Sequence, residues 1–497
     1  MSESSGKKIA DQVGASGLAL NEKLLWERGR PGRSGMSIPD AGVPETPLPA
    51  EIAGNGPNWP DLSELEVVRH YTRLSTWNFG VDTGVYPLGS CTMKYNPKIN
   101  EKMASLPGFA GAHPLLPDDA CQGALRVLHE MERLLADIVG LAAASLQPAA
   151  GAHGELCGML MIAAHHRHAG AKKTKILMPD TAHGTNPATA AMCGYREVKV
   201  PIGVGGKLEL AAVRELMDAE TAGIMVTNPN TLGVFESELA DISALIHERG
   251  GLVYADGANL NAIMGRVDMG KMGVDVVHFN LHKSMSTPHG GGGPGSGPVA
   301  VGEALVPYLP GPRIQFDGER YFLSDAQPLS IGRLHGFHGQ FGTALRAYSY
   351  ILSLGPEIRT ASGLAVLNAN YIRAKLKGHY DLPYDQSCMH ECVFTDAKQK
   401  KFKVATLDIV KRLIDLGFHP PTVYFPLVVS GALMIEPTET EAKEDLDAFA
   451  DAMIRIAREA EENPDILHAA PTRTKVGRLD ETLAARKPVL TGDMTRD

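Results

Sequence analysis

From about residue 80 the chain alternates between two apolar patterns. Stretches such as ALRVLHEMERLLADIVGL (124–141) and LADISALIHERG (239–250) space their apolar residues three and four apart, the period of an amphipathic helix. Between such stretches stand short unbroken apolar runs: KILMPD (175–180), GIMVTN (223–228), GLVYAD (251–256) and VDVVHFN (274–280). Runs of this length, bounded by turn residues, read as strands buried on both faces. Strand, helix, strand in succession predicts a mainly parallel sheet covered on both sides, an α/β large domain over residues 76–360. Past residue 360, ASGLAVLNANYIRAKLKG reads as helix and ECVFTDA and ALMIEP as strands. Near the end, EAKEDLDAFADAMIRIAREAEEN lines Leu446, Phe449, Met453 and Ile456 along one helical face. This predicts a smaller α+β domain over 361–497. Residues 1–75 are expected to be irregular, because GRPGRSGMSIPDAGVPETPLPAEIAGNGPNWP carries no period. Leu24, Leu25 and Trp26 make an arm that docks on a partner the better expectation than a free tail.

Composition narrows the function classes. The chain has 497 residues, 44% of them hydrophobic and 21% charged, with a net charge of -9. This acidic balance argues against general nucleic-acid binding. No apolar run is long enough to span a membrane, and the opening MSESSGKKIADQVG has neither the apolar stretch of a signal peptide nor the basic character of a transit peptide, so a cytoplasmic location is expected. The six cysteines include no C-x-x-C pair. Cys388, His390 and Cys392 in CMHEC make half a zinc site at most, and buried free thiols are expected instead.

In an open parallel sheet, ligands sit outside the carboxyl ends of the strands. Reading past each run collects Thr181, His183, Thr185, Asn228, Asn230, Asp256, Asn259, His282 and Lys283 at one edge. The densest stretch is HFNLHKSMSTPHGGGGPG (278–295), which admits a metal site, a phosphate loop, a basic patch or a specially placed lysine. Its Lys-Ser pair precedes the glycines, the reverse of a P-loop, and His278, His282 and His289 lack metal-ligand spacing and a nearby carboxylate cluster. No metal is expected. His278 lies in an apolar strand and is expected in the core. Lys283 stands where a lysine joined covalently to pyridoxal 5'-phosphate would stand. That cofactor needs a carboxylate at its ring nitrogen, for which Asp256 is the candidate, and a flat lid, for which His153 is. Its phenolic oxygen needs a donor, Asn230 or the nearby Thr227 or Asn228. Its phosphate needs the Gly151–Ala152 turn at a helix start, with Asn280 and His282. Ala258, two residues past Asp256, is counted with these cofactor contacts.

The order His153, Asn230, Asp256, Lys283, with DGANLNA and LHKS, resembles the aspartate-aminotransferase-like class of pyridoxal phosphate enzymes, fold type I. YPLGSCTMKYNPKINE, AAGAHGEL, DTAHGTNPATAAMCGY, TNPNTLGVFE, YADGANLNAIMG and LHKSMSTPHGGGGPG narrow the resemblance to the glycine dehydrogenase (decarboxylating) family, the P-proteins of the glycine cleavage system. In length the chain is similar to the subunit 2 form. Ser284 and Met285 follow Lys283 where the family more often has Thr and Phe, which touches local packing only. The resemblance implies glycine as substrate, loss of its carboxylate, and transfer of the aminomethyl group to the lipoyl group of an H-protein. It also implies a subunit 1 partner, with two copies of each subunit. The 1–75 arm would reach toward that partner. GSCTMKYNP (89–97) is expected at the mouth of the site, where Lys94 or Tyr95 would meet the glycine carboxylate or the lipoyl group, and Arg333 in SIGRLHGFHGQFG is a second candidate for the carboxylate.

Overall fold

The computed structural model describes residues 22–44, 46–54, 59–113, 115–290, 295–336 and 338–490. Most of the glycine run that follows His289, Gly291–Gly293, lies outside the described residues together with Pro294. The chain divides into two compact units. One takes in the segment up to Gly80 together with the segment from Pro471; the other runs Val81–Ala470.

In the larger unit a seven-stranded sheet has the order β1-β7-β6-β5-β4-β2-β3. The strands are β1 (Ala143–Ser145), β2 (Lys175–Pro179), β3 (Arg196–Val200), β4 (Thr221–Thr227), β5 (Leu252–Gly257), β6 (Val276–Phe279) and β7 (Val299–Val301). Neighbours from β3 to β6 are parallel, and β7 runs antiparallel to both β6 and β1. All four apolar runs are strands. They need unbroken apolar sequence because both faces are covered: Val253, Ala255, Val277 and Phe279 join one core cluster, while Leu252, Tyr254 and Val276 join another. The helices Gln122–Val139 and Leu239–Glu248 pack in the first cluster, and Gly151–His168 in the second.

A three-stranded antiparallel sheet, order β10-β12-β11, is built from β10 (Cys392–Thr395), β11 (Thr422–Val423) and β12 (Ala432–Ile435). Its core gathers residues of the helices Ile358–Leu376, Thr406–Asp415 and Lys443–Glu462, and Val85 joins them. Leu446, Phe449, Met453 and Ile456 are all buried in it. The hairpin β8 (Arg313–Phe316) and β9 (Tyr321–Ser324) completes the strands.

The smaller unit corrects one expectation. Residues 1–75 were read as irregular, yet Glu64–Ser75 is a helix. A capping box starts it: the Ser63 hydroxyl accepts from the Glu66 N–H, and the Glu66 carboxylate accepts from the Ser63 N–H. Its last turn anchors Glu22, whose carboxylate takes Arg73, His70 and Arg28 and is held down to about 2, chiefly by the Arg73 hydrogen bond, against the opposing effect of burial. Among the described residues, no helix is long and apolar enough to cross a membrane.

Candidate active site

The C-terminal ends of β4, β5 and β6 and the first turn of Gly151–His168 enclose a cavity of about 180 Å³. Of the residues expected at a cofactor, Lys283, Asp256, Gly151, Ala152, Thr227, Ala258 and Asn280 line it. Small residues let the helix come this close to the strands. A Cβ on Gly151 would lie 2.7 Å from the Asn280 amide, one on Gly154 2.5 Å from the Gly297 carbonyl, and one on Gly158 2.7 Å from the Tyr254 ring. The first turn, whose N–H groups lack intrahelical partners, thereby reaches the cavity wall at Gly151 and Ala152, beside Asn280.

Two carboxyls sit side by side within it. Asp256 is buried, and burial alone would raise its carboxyl. His278, the Ala258 N–H at 2.9 Å, Lys283 and the Asn186 amide at 3.3 Å outweigh that and hold it below the ordinary range. Glu155 moves the other way, raised by burial and by Asp256, although it accepts from Thr185 at 2.8 Å and Asn186 at 3.0 Å. His278 is buried as expected but also lines the cavity. Its Nε2 donates to Asn280 Oδ1 at 2.8 Å and lies 3.5 Å from Asp256, while its Nδ1 accepts from the Tyr254 hydroxyl at 2.5 Å. Lys283 Nζ donates to the Ser90 carbonyl at 2.8 Å.

Other expected residues stand elsewhere. The Asn230 amide donates to Gly206 and Glu236 and its Oδ1 accepts from the N–H groups of Leu232 and Val234. It shapes a turn and has nothing left for a phenolic oxygen. Thr227 takes its place at the cavity wall, with a buried Oγ1 that has no protein partner. Lys94 is buried and spent on Asn261, Tyr350 and Glu439 at 2.7, 3.0 and 2.8 Å, so it holds the interior together and is not free for a carboxylate. Tyr95 is 42% exposed, with Lys98 over its ring. Arg333 faces outward, 3.4 Å from Asp325. His153 is on the same turn as Gly151 and Ala152 but does not line the cavity. Its Nδ1 accepts the Ala149 N–H at 3.1 Å, its ring centre is 5.8 Å from that of His335, and burial and His335 push it down. His282 is half-buried behind Asn280, its ring 5.2 Å from His289, and burial followed by Lys283 pushes it down to about 3.

Sequence reading gave no role to Ser90, Glu155, Asn186 or Thr231. Glu155 stood in the quoted AAGAHGEL, four residues past Gly151 and so on the same helical face; Ser90 stood in GSCTMKYNP, a stretch expected at the mouth of the site, and lines the cavity.

Within CMHEC, Cys388 and Cys392 are buried thiols, and Cys392 is pushed well up by its hydrogen bond with Cys388 and by burial. His390 turns instead toward Glu391 and Glu436, at 3.8 and 3.9 Å.

Residues 153–293 match the aminotransferase class-V family, and residues 361–472 match the glycine dehydrogenase C-terminal domain. Among solved structures, the chain is similar to an inhibitor-bound glycine decarboxylase (P-protein) of the glycine cleavage system. The TM-score is 0.70 at 23% identity, covering 82% of this chain and 93% of that one. A cysteine desulfurase from Escherichia coli aligns with a TM-score of 0.60 at 16% identity, over 76% of this chain and 95% of that one. These likenesses show the fold-type I aminotransferase-like architecture. Curated relatives are much nearer in sequence. Probable glycine dehydrogenase (decarboxylating) subunit 2 of Caldanaerobacter subterraneus subsp. tengcongensis is 54% identical over 474 residues, 94% of this chain and 98% of that protein. Its counterpart from Halalkalibacterium halodurans is 54% identical over 477 residues, 95% and 98% of the two chains. With this identity end to end, the chain belongs to the glycine dehydrogenase (decarboxylating) subunit 2 family.

Proposed function

We propose that the chain is the cofactor-carrying subunit of a glycine decarboxylase, which removes the carboxylate of glycine and passes the aminomethyl group to the lipoyl group of an H-protein. The observation that carries this reading is the meeting of Lys283, Asp256 and an open helix N-terminus on one cavity. The cavity suits pyridoxal 5'-phosphate. It offers an amine, a carboxylate held low, a helix start at Gly151 and Ala152, and buried oxygens of Thr227 and Asn259 that no protein group satisfies. Lys283 would hold the cofactor covalently. Gly151, Ala152 and Asn280 would hold its phosphate, with His282 behind Asn280. Thr227 would face the phenolic oxygen and Ala258 the ring, while His153, expected as a lid, stands outside the cavity wall against His335. When bound, the cofactor supplies an electron-accepting ring for the pair left on the glycine α-carbon as carbon dioxide departs.

The chain's own residues prepare that event. Asp256, whose carboxyl is held low in a buried site, would keep a proton on the ring nitrogen. Walls built from the ends of β4–β6 would shield the reacting carbon from bulk water. Subunit 1 and lipoylated H-protein are the proposed partners, in an assembly of two copies of each subunit, and the relatives' name, subunit 2, supports the first of these.

The test is exchange of labelled bicarbonate into glycine by the chain co-purified with a subunit 1 and supplied with lipoylated H-protein. Exchange is expected, and Asp256→Asn should retain cofactor yet lose most of the rate. Exchange unchanged in Asp256→Asn, or amino-group transfer to a keto acid in place of exchange, contradicts the assignment.

A further inference from the structure

Behind Lys283 lie two buried acids for which the reaction has no evident use. β10 and β12 pair antiparallel with Cys392 opposite Ile435, so the register sets Glu391 opposite Glu436 just past the strand ends. Both are fully buried. Like carboxyls face to face across a strand pair are unfavourable, and more so without water. What they hold explains them. Glu391 Oε2 accepts the Ser90 N–H at 2.8 Å. Glu436 accepts the Thr92 N–H at 3.0 Å and the Thr92 hydroxyl at 2.6 Å. Ser90 and Thr92 have left-handed backbone, φ 63° and 48°, which residues with a side chain seldom adopt unless their surroundings impose it.

The same sheet grips the approach to this bend. The Glu436 N–H donates to the Pro87 carbonyl at 3.2 Å, Leu88 bridges Ile435, and Thr422 donates to the Gly89 carbonyl at 2.7 Å. The outcome of the bend is the direction of one carbonyl, that of Ser90, which receives Lys283 Nζ at 2.8 Å.

We propose that Glu391 and Glu436 are positioning residues for Lys283: by holding Ser90–Thr92 in its left-handed bend, they make the Ser90 carbonyl the seat of the lysine amino group whenever that group is not covalently engaged. This rests on the reading of Lys283 as the cofactor's anchor. An anchoring lysine must release its bond to admit substrate and remake it afterwards, and a fixed seat keeps the amine within reach and oriented. The length of each acid matters here, not its charge. Burial and Glu436 push Glu391 well up, and burial pushes Glu436 up to about 7. Both carboxyls are thus pushed toward the uncharged form.

The test uses the full chain stripped of cofactor. Acetylation of Lys283 by acetic anhydride, measured by mass spectrometry against the other lysines, reports how firmly the amine is held. The visible absorbance that develops on adding pyridoxal phosphate reports its uptake. In Glu391→Leu the labelling of Lys283 should rise about five- to tenfold, the effect of losing one hydrogen bond of ordinary strength, and uptake should change with it. Glu391→Gln keeps the oxygen at the same reach and should restore wild-type values. Glu391→Asp keeps the acid but draws it back, and should behave like the leucine variant. That contrast stands even if the leucine variant does not fold. Unchanged labelling in both Glu391→Leu and Glu391→Asp overturns the proposal, and so does a Gln variant that perturbs while the Asp variant does not. Failure of the wild type to develop visible absorbance through Lys283 would instead sink the anchor reading itself.

Discussion

Gly297→Ala probes whether the open helix start is what receives the phosphate. An added Cβ would lie 1.9 Å from the Ala150 carbonyl oxygen, 2.3 Å from its carbon and 2.9 Å from the Gly151 nitrogen, all backbone atoms. Ordinary contact begins near 3.4 Å, so one backbone must move by roughly 1.5 Å. Overpacking of this kind costs about 1–3 kcal/mol. Yielding on the other side breaks the Gly297 N–H bond to Pro148, 3.0 Å long, for about 1 kcal/mol more. The expected destabilisation is about 2–4 kcal/mol, a loss of several degrees in Tm. A donor displaced by an ångström or more no longer bonds its acceptor. One charge-assisted bond to a phosphate is worth about 1.5–3 kcal/mol, so the Kd for pyridoxal phosphate should rise roughly ten- to hundredfold. Cofactor-free protein titrated with pyridoxal phosphate gives the affinity, and thermal unfolding gives the stability. Gly108→Ala, where an added Cβ meets nothing within 4 Å, is the control. A Gly297→Ala protein with lowered Tm but unchanged affinity would refute the helix start as phosphate cradle. Unchanged Tm as well would refute the packing argument.

Lys283→Ala should abolish both the visible absorbance of bound pyridoxal phosphate and glycine decarboxylation; residual turnover would show that another group anchors the cofactor. Lys94→Met strands Glu439 in the interior and should cost about 3–5 kcal/mol in urea unfolding, with recovery when Glu439→Leu is added; a mutant of normal stability with a raised KM for glycine would return Lys94 to the substrate site. Glu436, raised to about 7 by burial, contributes stability that is fully present below its ordinary value of 4.5 and lost as the pH rises through about 7. Relative to wild type, Glu436→Gln should therefore gain as the pH goes from 5 to 8, by up to about 3 kcal/mol; a difference independent of pH would show that the carboxyl is not raised.

The strands, their parallel order and the edge bearing Lys283 and Asp256 were legible because each is local: an apolar run, then the polar residue that ends it. Gly151 and Ala152 were legible for the same reason, as a small-residue turn opening a helix. The errors came from side chains whose partners are distant in sequence. Lys94 reads as a free charge until Glu439 and Tyr350 arrive from more than 250 residues away. Ser90 has a place at the mouth of the site but no role of its own until it meets Lys283, 193 residues on. Asn230 failed differently. Its partners are near, but a turn-forming asparagine and a ligand-binding one look alike until the hydrogen bonds can be counted. The Glu64–Ser75 helix was within reach, since Ser63-x-x-Glu66 is a start signal and the proline-rich stretch before it obscured it.

One amide, that of Asn186, touches both Glu155 and Asp256. It ties together two chemically similar groups pushed in opposite directions, Glu155 up by burial and by Asp256, and Asp256 down by His278 and the Ala258 N–H. The interior thus sorts its visitors by sign: a ring that brings a positive nitrogen complements Asp256, whereas another anion at that spot would add to the repulsion that already pushes Glu155 up. For anyone redesigning this enzyme, Glu155 is the place to alter which cofactor analogues are tolerated while leaving Asp256 untouched.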